Sequence, residues 1–124
     1  MKADISLPDL DFGYKLLKNQ ILFSERELQL YRTRLLSLQS NQHQLRSGRL
    51  KDIRTMVRNI RRLRAEILVQ EEAMAFYSRD YPIDRNHEHY PVYRRLRSSL
   101  EKLLALKNGL LEAIRVEFEG CSMP

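Results

Sequence analysis

The chain has 124 residues, 43% of them hydrophobic, with four Gly, four Pro, one Cys, no Trp and a formal net charge of +6. That length holds one core rather than two, so a single helical-bundle domain over 1–124 is expected, and a composition led by Leu, Arg and Glu argues against a many-turned sheet. No apolar run is long enough to span a bilayer, Asp4 and Asp9 interrupt what a secretory signal would keep apolar, and Cys121 alone can close no internal disulfide; a cytoplasmic protein without membrane contact is the expectation.

The first element is a helix of about 9–46. Tyr14, Leu17, Ile21, Ser24, Leu28, Tyr31, Leu35, Leu38, Gln42 and Leu45 recur at alternating steps of three and four. This is the a/d pattern that lays one seam of a helix against a partner. Ser47-Gly48 stands where the pattern ends, and glycine there suits a helix stop, so a tight turn is expected at about 46–50. A second helix, about 50–80, carries Ile53, Met56, Ile60, Leu63, Ile67, Gln70, Met74, Tyr77 and Tyr81 in the same rhythm. So short a connection makes the two antiparallel, with Leu35 facing Leu63, Leu38 facing Ile60 and Tyr31 facing Ile67.

A connection at 81–90 contains Pro82 and leads to Pro91, after which Tyr93, Leu96, Leu100, Leu103, Leu110 and Ile114 mark a third helix of about 91–119, stopped by Gly120. Leu16, Phe23 and Leu30 on the first helix and Val69 and Phe76 on the second repeat every seven residues outside the a/d seam. Both stripes are expected on one flank of the hairpin, beneath the third helix. Charge supports this packing: Arg94, Arg95, Arg97 and Lys102 would lie near Glu66, Glu71 and Glu72, and Glu112, Glu117 and Glu119 near Arg54, Arg58 and Arg61. The fold class is therefore all-α: three long antiparallel helices, a coiled-coil-like hairpin plus a third helix, forming a three-helix bundle expected to be oligomeric.

Several groups of residues are candidates for function. Leu104, Leu106, Leu110, Leu111 and Phe118 exceed what one side of a helix needs, and surplus apolar surface marks an interface, so homo-oligomerisation, in the first instance as a dimer, or docking of a partner helix is expected there. Residues 46–64 carry eight basic side chains against Asp52 alone, a local +7. The rest of the chain, with fourteen basic and fifteen acidic residues, balances at −1. Arg54, Arg58, Arg61 and Arg62 are thus candidate anion or nucleic-acid contacts, set against the plainer reading of a solvated face neutralised by the acids of the third helix; no interleaved aromatic offers base stacking. Tyr77, Tyr81, Tyr90 and Tyr93 crowd the second connection among arginines, as a recognition cluster or as a plug for the open end of the bundle.

Catalytic and metal motifs are missing from the sequence. His87 and His89 are two apart with no second ligand pair, which reads as a polar loop and not a metal site. No glycine-rich phosphate loop, no Glu-x-x-His pair and no nucleophile with a base is present, so no catalytic residue, cofactor or metal is expected. Three-helix repeats of the spectrin type share the outline but carry a core Trp that is absent here. The function expected is a non-enzymatic helical protein-protein interaction or scaffolding module. The alternative is a small basic nucleic-acid-binding protein using the arginine-rich face of the second helix.

Overall fold

The computed structural model describes residues 5–38, 41–75, 82–83 and 89–119, the backbone alone for 5–7 and 82–83. It is an all-α three-helix bundle of α1 (Leu7–Ser37), α2 (His43–Met74) and α3 (His89–Glu117). A two-residue antiparallel bridge, β1 (Ile5–Ser6) with β2 (Pro82–Ile83), ties the start of α1 to the connection between α2 and α3.

Heptad spacing builds the core. Ile21, Leu28 and Leu35 from α1, Ile53, Ile60 and Ile67 from α2, and Leu96 and Leu100 from α3 are all fully buried. Leu10, Tyr14, Leu17, Met56, Leu63, Met74, Leu111, Ile114 and Phe118 join the same cluster. The alternating a/d rows expected on the first two helices point inward from Tyr14 to Leu38 and from Ile53 to Met74, Ser24 among them at 1% exposure and Tyr31 and Gln70 half-buried, whereas Gln42 lies exposed beyond the end of α1. Tyr77, Tyr81 and Phe76 lie outside the described residues.

The turn between the first two helices is not at 46–50. Helix α1 ends at Ser37 and α2 begins at His43, which puts Leu45, Arg46 and Gly48 inside α2. The intervening Ser40-Asn41-Gln42 is polar and turn-compatible, whereas a lone glycine lowers helix stability by only about 1 kcal/mol. Arg46 closes the end of α1 from across the turn: its Nη2 donates to the Leu38 carbonyl at 2.7 Å, one of the acceptors that a helix C-terminus leaves open. Leu45 and Leu50 pack against the core from this first part of α2.

Moving the turn changes the register. Lys18 Nζ lies 2.9 Å from Glu71 and Arg61 Nε 3.3 Å from Glu25, so α2 is displaced by about three helical turns from the pairing of Leu35 with Leu63, Leu38 with Ile60 and Tyr31 with Ile67. All six residues still face inward, with different neighbours, because a shift by whole turns keeps the same side of the helix toward its partner.

Helix α3 runs antiparallel to α2 and parallel to α1. Arg49 reaches Glu117 through Nε to Oε1 at 2.7 Å and through Nη2 to Oε2; Gln70 Oε1 lies 3.4 Å from Nδ1 of the buried His89. The α1 side closes at Gly13, where an added Cβ would stand 2.6 Å from the Tyr93 hydroxyl, and at Tyr14, whose ring meets Tyr93 edge-on with centroids 5.1 Å apart. Pro91 sits in the first turn of α3, where its missing N–H has no helical partner to lose.

Two consequences are measurable. Gly48 has nothing within 4 Å of an added Cβ, so Gly48→Ala is expected to raise unfolding free energy by about 0.5–1 kcal/mol in denaturant melts; Gly13→Ala should lower it by about 1–3 kcal/mol, and the sign of the Gly13 effect should reverse in a Tyr93→Ala background. A loss at Gly48 would return the turn to that position. Separately, the Tyr14 hydroxyl is buried with no hydrogen-bond partner among the described residues, and burial, helped by Tyr93 and Glu71, pushes its pKa from 10.0 up to about 12. The unfolded phenol ionises first, so this contribution is complete below about pH 10 and is lost as pH rises toward the folded value. Tyr14→Phe should melt at or above the wild-type temperature near neutrality and lose less stability between pH 9 and 11, roughly the onset of phenol ionisation; an equal alkaline loss in both proteins would contradict this.

Candidate interaction surfaces

The leucines of α3 are mostly consumed by the bundle. Leu111 and Phe118 are 5% and 7% exposed, Leu104 and Leu110 are half-buried against the core, and Leu106 alone stands out at 63%. The expected interface of Leu104, Leu106, Leu110, Leu111 and Phe118 is therefore not one exposed patch. A helix seated in the groove between two others needs apolar residues toward both, which a single-seam count underestimates.

The apolar surplus appears on α1 instead. Phe12, Leu16, Phe23 and Leu30 are 63%, 48%, 65% and 49% exposed, and at about 100° per residue they fall within an arc of about 40°. Helix α3 was expected from the sequence to cover them and does not, because it meets α1 through Gly13 and Glu27, roughly 60° further round. Val69, at 59% exposure on α2, is likewise uncovered.

Between this stripe and α3 lies a cleft of about 380 Å³ with a polar floor. Leu16, Phe23 and Leu104 line it with Ser24 and Lys107. Lys107 occupies the gap in the α3 seam between Leu103 and Leu110: it is 4% exposed, its Nζ donates to Glu27 at 2.5 Å, and the ammonium lies 6.0 Å from the Phe23 ring centroid. Lysine in a core position is tolerated because the pair is formed within the bundle and Glu27 retains contact with water.

The basic stretch is dispersed by the real geometry. Arg46 and Arg49 are engaged within the fold, and Glu117 is held below the usual carboxylate range by the Arg49 guanidinium. Arg54, Arg58 and Arg61 line a groove of about 350 Å³ between α1 and α2, joined by Gln29 and Arg32 from α1 over a floor of Ile53 and Val57. No residue of α3 lines it. Arg62 is exposed outside this groove, and the acids of α3 do not reach the arginines: Glu117 goes to Arg49 and Glu112 to Arg115 on its own helix. Arg95 lies 3.9 Å from Glu66, as the expected packing required, while Glu71 is taken by Lys18. Arg32 was missed by sequence reading because its proximity to α2 depends on the register.

The tyrosine cluster is only partly described. Tyr93 fills the notch made by Gly13 and Tyr14, and Arg94 lies 5.9 Å from the Tyr90 ring centroid; Tyr77 and Tyr81 lie outside the described residues, as do His87 and Cys121. His89 is buried at the start of α3 and His43 is exposed at the start of α2. Among the described residues, no group of three His, Cys, Asp or Glu side chains is placed to hold a metal ion, and no helix is long and apolar enough to cross a membrane.

No protein-family model, curated protein or solved structure matches the chain.

The Lys107–Glu27 pair makes a specific prediction. Glu27→Ala leaves a buried ammonium without its acceptor and should cost about 1–3 kcal/mol, below the range for a wholly buried pair because Glu27 is partly solvated. Lys107→Met with Glu27→Leu should recover at least half of that loss in urea melts. A Glu27→Ala protein as stable as wild type would show the pair to be energetically idle.

Proposed function

We propose that the protein is a non-enzymatic helical interaction module that pairs with a second copy of itself through the exposed stripe of α1. The observation that carries this reading is the arc of Phe12, Leu16, Phe23 and Leu30, four large side chains left about half or more exposed along one side of α1, with the other exposed leucines of the helix, Leu22 and Leu36, off this arc. Contiguous apolar surface of this kind is uncommon on monomers unless it serves contact. Leu16, Phe23 and Leu30 keep a strict seven-residue spacing with Phe12 at a d-type offset, the spacing that accepts knobs from another heptad helix. A second α1 offers the same spacing, and twofold pairing satisfies both stripes at once and closes without exposing another.

The polar positions within the stripe limit its strength. Asn19 and Arg26 take the d-type positions between the apolar ones, an arrangement that favours one register and oligomer state over maximal affinity. The reading therefore implies a dimer in the micromolar class, held by aromatic anchors with a polar surround.

Light scattering across a concentration series checks this. A dimer mass that persists from low to moderate salt is expected, since apolar contact is not screened, with Phe23→Asp shifting the protein to monomer while its far-ultraviolet circular dichroism stays unchanged. A monomer at every concentration, or a dimer indifferent to Phe23→Asp and Leu16→Asp, overturns the assignment.

A further inference from the structure

Several ion pairs of the bundle join two helices, whereas the groove between α1 and α2 gathers arginines from both helices with little compensating acid. Lys18 with Glu71, Arg49 with Glu117 and Lys107 with Glu27 each join two helices. In the groove, by contrast, Arg32, Arg54 and Arg58 pair with no carboxylate among the described residues, and only Arg61 has one, Glu25 at 3.3 Å. Arg54 and Arg58 are four residues apart and Arg58 and Arg61 three, the two spacings at which like charges on a helix repel. Arg32 adds a fourth guanidinium from the facing helix. The groove thus carries a local electrostatic cost that the described acids offset only at Arg61.

From this geometry we infer that the α1–α2 groove binds the phosphodiester backbone of a double-stranded nucleic acid. Guanidinium forks match phosphate oxygens bidentately and stay charged at every accessible pH. The row from Arg54 to Arg61 is about 10 Å long, spanning roughly three nucleotides of one strand at about 3.4 Å each, and Arg32 widens the contact across the groove. The floor of Ile53 and Val57 contains no aromatic ring, so the site lacks the stacking platform that single-strand binders use. Duplex backbone, whose bases are already stacked, asks only for positive charge held on a rigid support. Contacts to the phosphodiester backbone carry no sequence information, so recognition of this kind is independent of sequence. This face is distinct from the apolar stripe of α1: the two sets of lining residues share no member.

The test is fluorescence anisotropy of the full chain with a labelled 24-base-pair duplex, a length of about two helical turns, titrated from low to moderate salt. The expected result is binding whose log affinity falls against log salt with a slope of about −3, the value for three to four phosphate contacts. Arg54→Gln with Arg58→Gln should weaken binding at least tenfold and reduce the slope by about two. The same double variant, freed of like-charge repulsion, should melt no lower than wild type, which separates lost contact from lost fold. A control of equal charge on α3, Arg97→Gln with Arg115→Gln, should change affinity less than threefold. Absence of binding at low salt, equal losses in the two double variants, a single strand bound as tightly as the duplex, or polyglutamate displacing the duplex at equal charge concentration would each overturn the inference, the last pointing to an acidic protein as the occupant.

Discussion

Eight aliphatic side chains on three helices, spaced by sevens on α1 and α2, hold the bundle together, and the remaining features are positioned by them. Ile21, Leu28 and Leu35 lie against Ile53, Ile60, Ile67, Leu96 and Leu100, each at 1% exposure or less. Burial of one such side chain contributes about 1.5–3 kcal/mol, whereas a surface ion pair contributes about 1 kcal/mol at most. The apolar rows therefore decide that the helices pack side by side. Charged residues then select among the registers that the rows permit, which is why Lys18–Glu71 and Arg61–Glu25 report the register without creating it.

Position along the helices is refined by groups that fit only one way. Gly13 leaves room for Tyr93, whose ring meets the edge of Tyr14. About four helical turns further along α1, Glu27 receives the Lys107 ammonium into a seam that is otherwise aliphatic. Such a polar layer is a poor source of net stability, because desolvating the charges offsets most of the attraction between them. Its effect is to penalise any sliding of α3, since displacement by one turn would bury the ammonium without an acceptor. At the far end, Arg49–Glu117 and Arg46 at the Leu38 carbonyl close the two helix termini that meet there.

Seating α3 in this way leaves two unlike faces. One is the apolar arc of Phe12, Leu16, Phe23 and Leu30, turned roughly 150° from the buried row of α1. The other is the arginine groove between α1 and α2, out of reach of the acids on α3. Both arise from one geometric fact: three round helices cannot cover every flank of one another, so whatever sequence stands outside the three contacts faces solvent. A protein using both faces would present two anion-binding grooves from a twofold pair, and its affinity for a duplex would then rise with dimer formation.

The amino-acid pattern was enough for the all-α class, three helices, most inward residues of α1 and α2 and part of those of α3, because a 3.5-residue rhythm of apolar side chains favours one helical expression in water. Tyr14, Ile21, Ile60 and Leu96 were legible as core for that reason. Only the packed helices show where the hairpin turns, since Gly48 and Asn41 both satisfy local turn preference. With the turn went the register, and with the register went the partners of every charge: Arg32 joined the groove, Arg62 left it, and Glu117 went to Arg49. The apparent surplus on α3 dissolved for the same cause, because Leu111 and Phe118 have a second helix to face that periodicity along one chain segment does not reveal. Periodicity specifies the angle of a residue around its helix; its neighbours are specified only by distances between helices, which depend on the whole chain at once.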